Sequence, residues 1–355
     1  IQISEKFNES LSILPPEKRE QKEIIGINYG GTFHPKTGYF VRRSSHDPNQ
    51  QEIKLAFIGT QNITAATSGN NTMESILILN PNRTYGKGTE VEQRAAIEVA
   101  VYTKTLLSVA ERYKNKPIDT TTADHALSTP SIQQEMQQYM LNMGISFDTS
   151  TNKPAFLRMN EEIGQEYSIV LKAAADAKRE NHHVILSVSN LTDLGDGPIG
   201  STIMESLRTL AAEKRLTVIL DKGELQKALS DDPTQSIYYN ISFLKELADA
   251  GAIKLSVVDK HHDKSLAIFN DNTNLQSDSL VYFAIGSGNT TKAGLGIRDT
   301  NEYNIDVIAT FSRSALYSTR TEEEGVADYL DYLLDYKGVS KFSGRQSSMV
   351  MHYAG

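Results

Sequence analysis

Residues 32–41 read TFHPKTGYFV and residues 260–269 read KHHDKSLAIF. Placing His34 over His262, an offset of 228 residues, brings Lys36 onto Lys264. The correspondence extends both ways. Upstream, Ile25, Ile27 and Tyr29 fall on Ile253, Leu255 and Val257, each set alternating with small or polar residues as half-buried strands do. Downstream, Phe57-Ile58-Gly59-Thr60-Gln61-Asn62 matches Ala284-Ile285-Gly286-Ser287-Gly288-Asn289. His34 to Asn62 spans 28 residues and His262 to Asn289 spans 27. Each block then meets an acid before a strand, Glu74 before Ser75–Leu79 and Asp306 before Val307–Thr310. By strand register Asp306 is the second acid, with Glu302 as its rival. A helix follows in each case, about Val91–Tyr113 and about Glu322–Tyr336. The chain is an internal duplication.

The repeated residues suit one kind of ligand. Alternate side chains of a strand share a face, so His262 and Lys264 point one way and Asp263 the other. The glycine-rich turn lets the backbone come close and presents Asn289, or Asn62 in the first copy. Imidazole, ammonium and carboxamide together match a phosphate: Lys meets the anionic oxygens, Asn donates a hydrogen bond, and Thr60 and Ser287 add hydroxyls for substrate binding. Two copies supply two histidines. One can attack phosphorus to give a phosphohistidine, and the other can protonate the leaving alkoxide and then activate water. Two lysines perform the charge neutralisation that a divalent metal supplies elsewhere, so neither a metal nor a cofactor is called for.

These paired motifs, His34-Pro35-Lys36 with Gly59-Thr60-Gln61-Asn62 and His262-Asp263-Lys264 with Gly286-Ser287-Gly288-Asn289, resemble the phospholipase D (HKD) superfamily of phosphodiesterases. The resemblance covers about Glu23–Lys114 and Val184–Lys337. It implies an α/β fold of two pseudo-twofold repeats with mixed sheets and one active site between them. It also implies catalytic roles for His34, Lys36, Asn62, Glu74, His262, Lys264, Asn289 and Asp306. His34 is then the nucleophile and His262 the general acid/base, although the reverse assignment fits the same residues. The family's further Asp, five residues after the Lys, is replaced by Val41 and Phe269. Its loss from both copies, with Lys292 and Gly294 in GSGNTTKAG, resembles the tyrosyl-DNA phosphodiesterase branch. Glu74 resembles the lipase and nuclease branches, in which an acid orients the opposite histidine.

Around this frame the second half alternates strands and helices: Val184–Ser189, Thr202–Lys214, Leu216–Leu220, Ser242–Ala250 ended by Gly251, and Ile253–Val258. Such alternation predicts α/β layers around a largely buried mixed sheet. Residues 1–115 form the first repeat, 116–154 a polar connection with a helix over Ser131–Met143, and 155–355 the second repeat. Asp193–Gly200 is a loop by composition. Only 33 residues precede His34, whereas 78 separate Val184 from His262, so the first repeat lacks about one strand–helix–strand unit. Either native sequence precedes Ile1 or this repeat is reduced.

The chain has 355 residues, 39% of them hydrophobic and 23% charged, which excludes a disordered or collagen-like chain. No run of about 18 apolar residues is long enough to span a membrane. The net charge of −8 argues against a protein built mainly to grip phosphate backbones. It favours phospholipid or another small phosphodiester as substrate, with peripheral membrane contact, over long nucleic acid. A nuclease or tyrosyl-DNA-phosphodiesterase-like enzyme is the alternative, and a non-catalytic phosphate-binding protein a third reading. There is no cysteine, which removes disulfides and thiolate chemistry together. That and the Asn/Thr/Ser content are compatible with a secreted or effector protein of bacterial origin.

Overall fold

A computed structural model describes residues 32–43, 51–60, 72–79, 90–112, 125–145, 153–177, 181–220, 240–255, 260–273, 275, 279–297, 304–312 and 350–353. In chain order the first part holds β1 (Thr32–Phe33), β2 (Thr37–Arg43), β3 (Gln51–Gly59), β4 (Thr72–Leu79), α1 (Glu90–Arg112) and α2 (Thr129–Asn142). The second holds β5 (Leu157–Met159), α3 (Glu161–Asp176), β6 (His183–Ser187), α4 (Pro198–Ala212), β7 (Leu216–Leu220), α5 (Ile241–Asp249) and β8 (Ile253–Leu255). It continues with β9 (Lys260–His261), β10 (Ser265–Phe269), β11 (Leu280–Gly286), β12 (Asn304–Ile305), β13 (Val307–Ser312) and β14 (Val350–Tyr353). The matches Ile25 to Tyr29 and the helix expected over Glu322–Tyr336 lie outside the described residues.

One sheet runs β5-β13-β11-β10-β6-β7-β8 and another runs β14-β4-β3-β2. The duplicated cores are β2-β3-β4 and β10-β11-β13, all antiparallel. They even share an irregularity: the register shifts between Phe40 and Val41 in one and between Ile268 and Phe269 in the other. Val41 and Phe269 each lie five residues after the motif lysine. The second sheet adds β6, β7 and β8 beyond β10, parallel to one another. This is the mixed α/β, two-repeat architecture expected of a phospholipase D-like fold. Some elements were not foreseen. Strand β5 and helix α3 open the second repeat, and β14, from the far end of the chain, completes the first repeat's sheet beside β4.

Both faces of the second sheet are covered, so its strands read as continuous apolar runs; all five residues of β6, β7 and β10 are buried. Val184, Leu186, Leu266, Ala284 and Ile308 pack outward on α3, α4 and α5. Ile185, Ala267, Phe283, Ile285 and Phe311 pack inward with Ile58, Leu77 and Leu79 of the first sheet and with Val99 and Tyr102 of α1. The two repeats therefore share one core. Each fully buried Leu, Ile or Phe in it is worth about 1.5–3 kcal/mol. A polar clasp reinforces the join: the buried Glu98 carboxylate on α1 accepts the N–H groups of Ala155, Phe156 and Leu157 at the entrance to β5. Burial raises its pKa, and those N–H donors and Arg94 oppose the rise.

Candidate active site

The His-x-Lys motifs occupy the short gaps between two strands with different partners. β1 leaves its own sheet and pairs in parallel with β12, Thr32 on Asn304 and Phe33 on Ile305. β9 does the same with the start of β4, Thr72 on Lys260 and Met73 on His261. One step further, the register sets His34 beside Asp306 and His262 beside Glu74. The chain then turns into β2 or β10. Each motif is thus the corner where the backbone passes from the bridge between repeats into its own sheet.

The side chains complete what the register begins. His34 Nδ1 lies 3.1 Å from Asp306 Oδ1, across 272 residues of chain. His262 Nδ1 lies 2.9 Å from Glu74 Oε1. A carboxylate only accepts, so in the first pair His34 Nδ1–H donates and leaves Nε2 with its lone pair, while the second is an ion-pair contact between His262 Nδ1 and Glu74 Oε1. The acids are almost wholly buried, while the His34 and His262 side chains keep 19% and 29% of their exposure. A buried acid beneath a part-exposed imidazole can orient that ring for nucleophilic or acid/base work. Glu302 lies outside the described residues.

The lysines are matched too. Lys36 Nζ donates to the His34 carbonyl at 2.7 Å and Lys264 Nζ to the His262 carbonyl at 2.7 Å. Lys264 Nζ also stands 3.2 Å from each ring nitrogen of His262. Burial pushes the Lys36 ammonium down to about 8, with Asp306 and Glu74 opposing. Burial, and then the charge of Lys36, push Lys264 down to about 7. His262 is lowered by burial first, then by Lys264, Lys36 and His34. One Glu74 carboxylate faces two ammoniums and the loss of water, so the imidazole is neutral at pH 7. Lysines and histidines from both repeats therefore lie within each other's fields. Cations gathered this way repel one another until an anion joins them.

Glycines set the spacing. A Cβ on Gly59 would stand 2.4 Å from the Ser75 carbonyl oxygen, and one on Gly286 2.2 Å from that of Val307. Only glycine lets these turns close against the acid-bearing strands. Thr60 and Ser287 follow, and their expected contact with substrate is not what the structure shows, because both are fully buried. Thr60 Oγ1 accepts from Ser75 N–H at 2.9 Å. Ser287 Oγ accepts from Val307 N–H at 3.1 Å and donates to Asp306 Oδ1 at 2.6 Å, so it braces the acid under His34.

Asn289 is buried three residues beyond β11, its Oδ1 accepting from Ser189 Oγ at 2.6 Å. Asn62 lies outside the described residues. His261 is buried and its Nε2 meets Ser187 Oγ at 2.7 Å. His183 is held by Asn272 and Thr217. Two positions that sequence reasoning passed over, Ser187 at the end of β6 and Ser189 two residues on, continue the strand's alternation and could have been found from it.

No protein-family model matches the chain, and no curated protein matches it. Solved structures do. The yeast tyrosyl-DNA phosphodiesterase H432N_Glu mutant is similar over 87% of this chain and 74% of its own, at 11% identity and a TM-score of 0.41. Polyphosphate kinase from Porphyromonas gingivalis is similar over 95% of this chain at 11% identity and a TM-score of 0.41. This chain spans 37% of that kinase's length. NucT from Helicobacter pylori is similar over 51% of this chain and 94% of its own, at 12% identity and a TM-score of 0.26. These are likenesses of fold.

Proposed function

We propose that this protein is a phosphodiesterase that works through a phosphohistidine, with both repeats contributing to one active site. The observation that carries the reading is the crossed pair of contacts, His34 with Asp306 and His262 with Glu74. A phosphodiester monoanion fits between Lys36, Lys264 and the Asn289 amide. His34 Nε2 attacks phosphorus as the bond to the leaving oxygen breaks. His262, which takes up a proton once the anion offsets the two ammoniums, gives it to that oxygen. Water then attacks phosphorus, passing a proton back to His262 as the P–N bond breaks and a phosphomonoester leaves. Two ammoniums supply the charge stabilisation, which makes the reaction independent of a metal.

For the substrate, the residues support the nuclease or tyrosyl-DNA-adduct reading at least as well as phospholipid. The missing motif Asp in both copies and the GSGNTTKAG run stand on that side, and a tyrosyl-DNA phosphodiesterase is among the similar structures.

The test is hydrolysis of bis-p-nitrophenyl phosphate in EDTA by the wild type, His34→Ala and His262→Ala. Turnover that survives chelation and disappears in both variants is expected. Turnover unchanged in either variant removes that histidine from the mechanism.

A further inference from the structure

Asn160, the residue before α3, has φ 47° and ψ −120°, a backbone region that glycine enters freely and other residues rarely do. It is buried. An asparagine at the start of a helix ordinarily caps it, yet this side chain makes no capping bond. Its amide is used elsewhere. Oδ1 accepts from the Asp306 N–H at 3.2 Å, Nδ2 donates to the Leu127 carbonyl at 2.9 Å, and the Asn160 N–H donates to the Asp306 carbonyl at 3.1 Å. One residue thus grips Asp306 from both sides of its peptide backbone. The corner is also closed from behind, because a Cβ on Gly296 would stand 2.4 Å from Glu161 N and 2.5 Å from the Asn160 carbonyl carbon.

We propose that Asn160 is a positioning residue for the His34 half-site. Its strained backbone and diverted amide fix Asp306, and Asp306 in turn fixes the tautomer and orientation of the His34 ring. This rests on the reading of His34 and Asp306 as a catalytic pair. The contrasting role, a helix start that serves stability alone, leaves the imidazole indifferent to the asparagine.

The experiment compares Asn160→Gly and Asn160→Asp with the wild type. Glycine keeps the backbone conformation and removes both side-chain bonds. Aspartate keeps the acceptor for Asp306 N–H and loses the donor to Leu127. Nitrogen-15 spectra of the His34 imidazole, assigned by their disappearance in His34→Ala, are read beside thermal melts and kcat and KM on bis-p-nitrophenyl phosphate. Wild-type His34 is expected as a single Nδ1–H tautomer. Asn160→Gly is expected to give a mixture, with kcat lower by about 10- to 100-fold and KM changed little. Asn160→Asp is expected to fall between, and it decides the matter if the glycine variant does not fold. Glu98→Ala, which loosens the join away from the site, is expected to leave the His34 signals in place. Unchanged His34 spectra in the Asn160 variants, or the same change in Glu98→Ala, would overturn the assignment. If the wild type hydrolyses nothing, the proposed function fails, and the spectra still decide what Asn160 does.

Discussion

His34 leans on Asp306, which takes a second hydrogen bond from Ser287 and has its backbone gripped by Asn160. His262 leans on Glu74, and its neighbours are held from β6 and the residues just after it: Ser187 meets His261 and Ser189 donates to Asn289. Lys264 is the more deeply buried of the two lysines, and its pKa is lowered further. The same residue types are therefore held by two scaffolds. Duplication preserved the register that pairs each histidine with an acid, while the bracing behind it diverged. On the described residues, β6, β7 and β8 have no counterparts beyond β2.

Exchanging the acids breaks the comparison most severely. Asp306→Asn and Glu74→Gln each remove the partner of the histidine in the other repeat. Each is expected to lower kcat about 10³- to 10⁴-fold with KM little changed, as loss of an orienting carboxylate does in hydrolytic triads. The two should differ in what accumulates. Rapid-quench labelling with a ³²P diester is expected to show slow phosphoenzyme formation in Asp306→Asn and a persisting phosphoenzyme in Glu74→Gln. The reverse pattern would exchange the roles of the histidines.

The lysines come next. Lys36→Met and Lys264→Met are each expected to cost about 10²- to 10³-fold in kcat/KM, the scale of a lost charge-stabilising donor. Lys264→Met should also raise stability by about 1 kcal/mol, since it removes a buried, repelled cation. The sign follows from proton binding. With the folded value near 7 and the ordinary value of 10.5, the unfolded chain holds more protons across that window. Wild-type stability therefore rises from about pH 7 to pH 10, measured by urea melts, and Lys264→Met should flatten the rise. In activity the sign is opposite. As pH climbs past 7 to 8 the lysines lose their charge, so KM for an anionic diester is expected to increase.

Smaller effects separate the scaffolds. Ser189→Ala frees the Asn289 amide and is expected to lower kcat/KM by about 10-fold while leaving the His34 half-site untouched. Glu98→Ala takes the acceptor from three N–H groups, of which that of Leu157 is buried, so a loss of about 2–3 kcal/mol in denaturant melts is expected, with unchanged kcat per folded molecule.

Most of the centre was legible in the residues, because a repeat at a fixed offset turns common motifs into a constrained pair. The pairing of each histidine with the acid of the other repeat follows the strand register that the repeat predicts. Thr60 and Ser287 read as substrate ligands because a hydroxyl after a glycine turn looks available; the tight approach of Gly59 and Gly286 to the next strand buries both. Asn160 was invisible for the opposite reason, since an asparagine before Glu161-Glu162 has the look of an ordinary helix start. Four residues pairing across most of the chain, as β14 does with β4, leave no local pattern to read.

The crossing of the two pairs orders events in time as well as in space. A ribosome releases His34 and Lys36 long before it reaches Asp306, and β4 long before β14. Until the second repeat has been made and folded against the first, His34 has no carboxylate and Glu74 has no imidazole. On the proposed mechanism a nascent chain is therefore chemically silent, and both half-sites are completed in a single step with the finished fold.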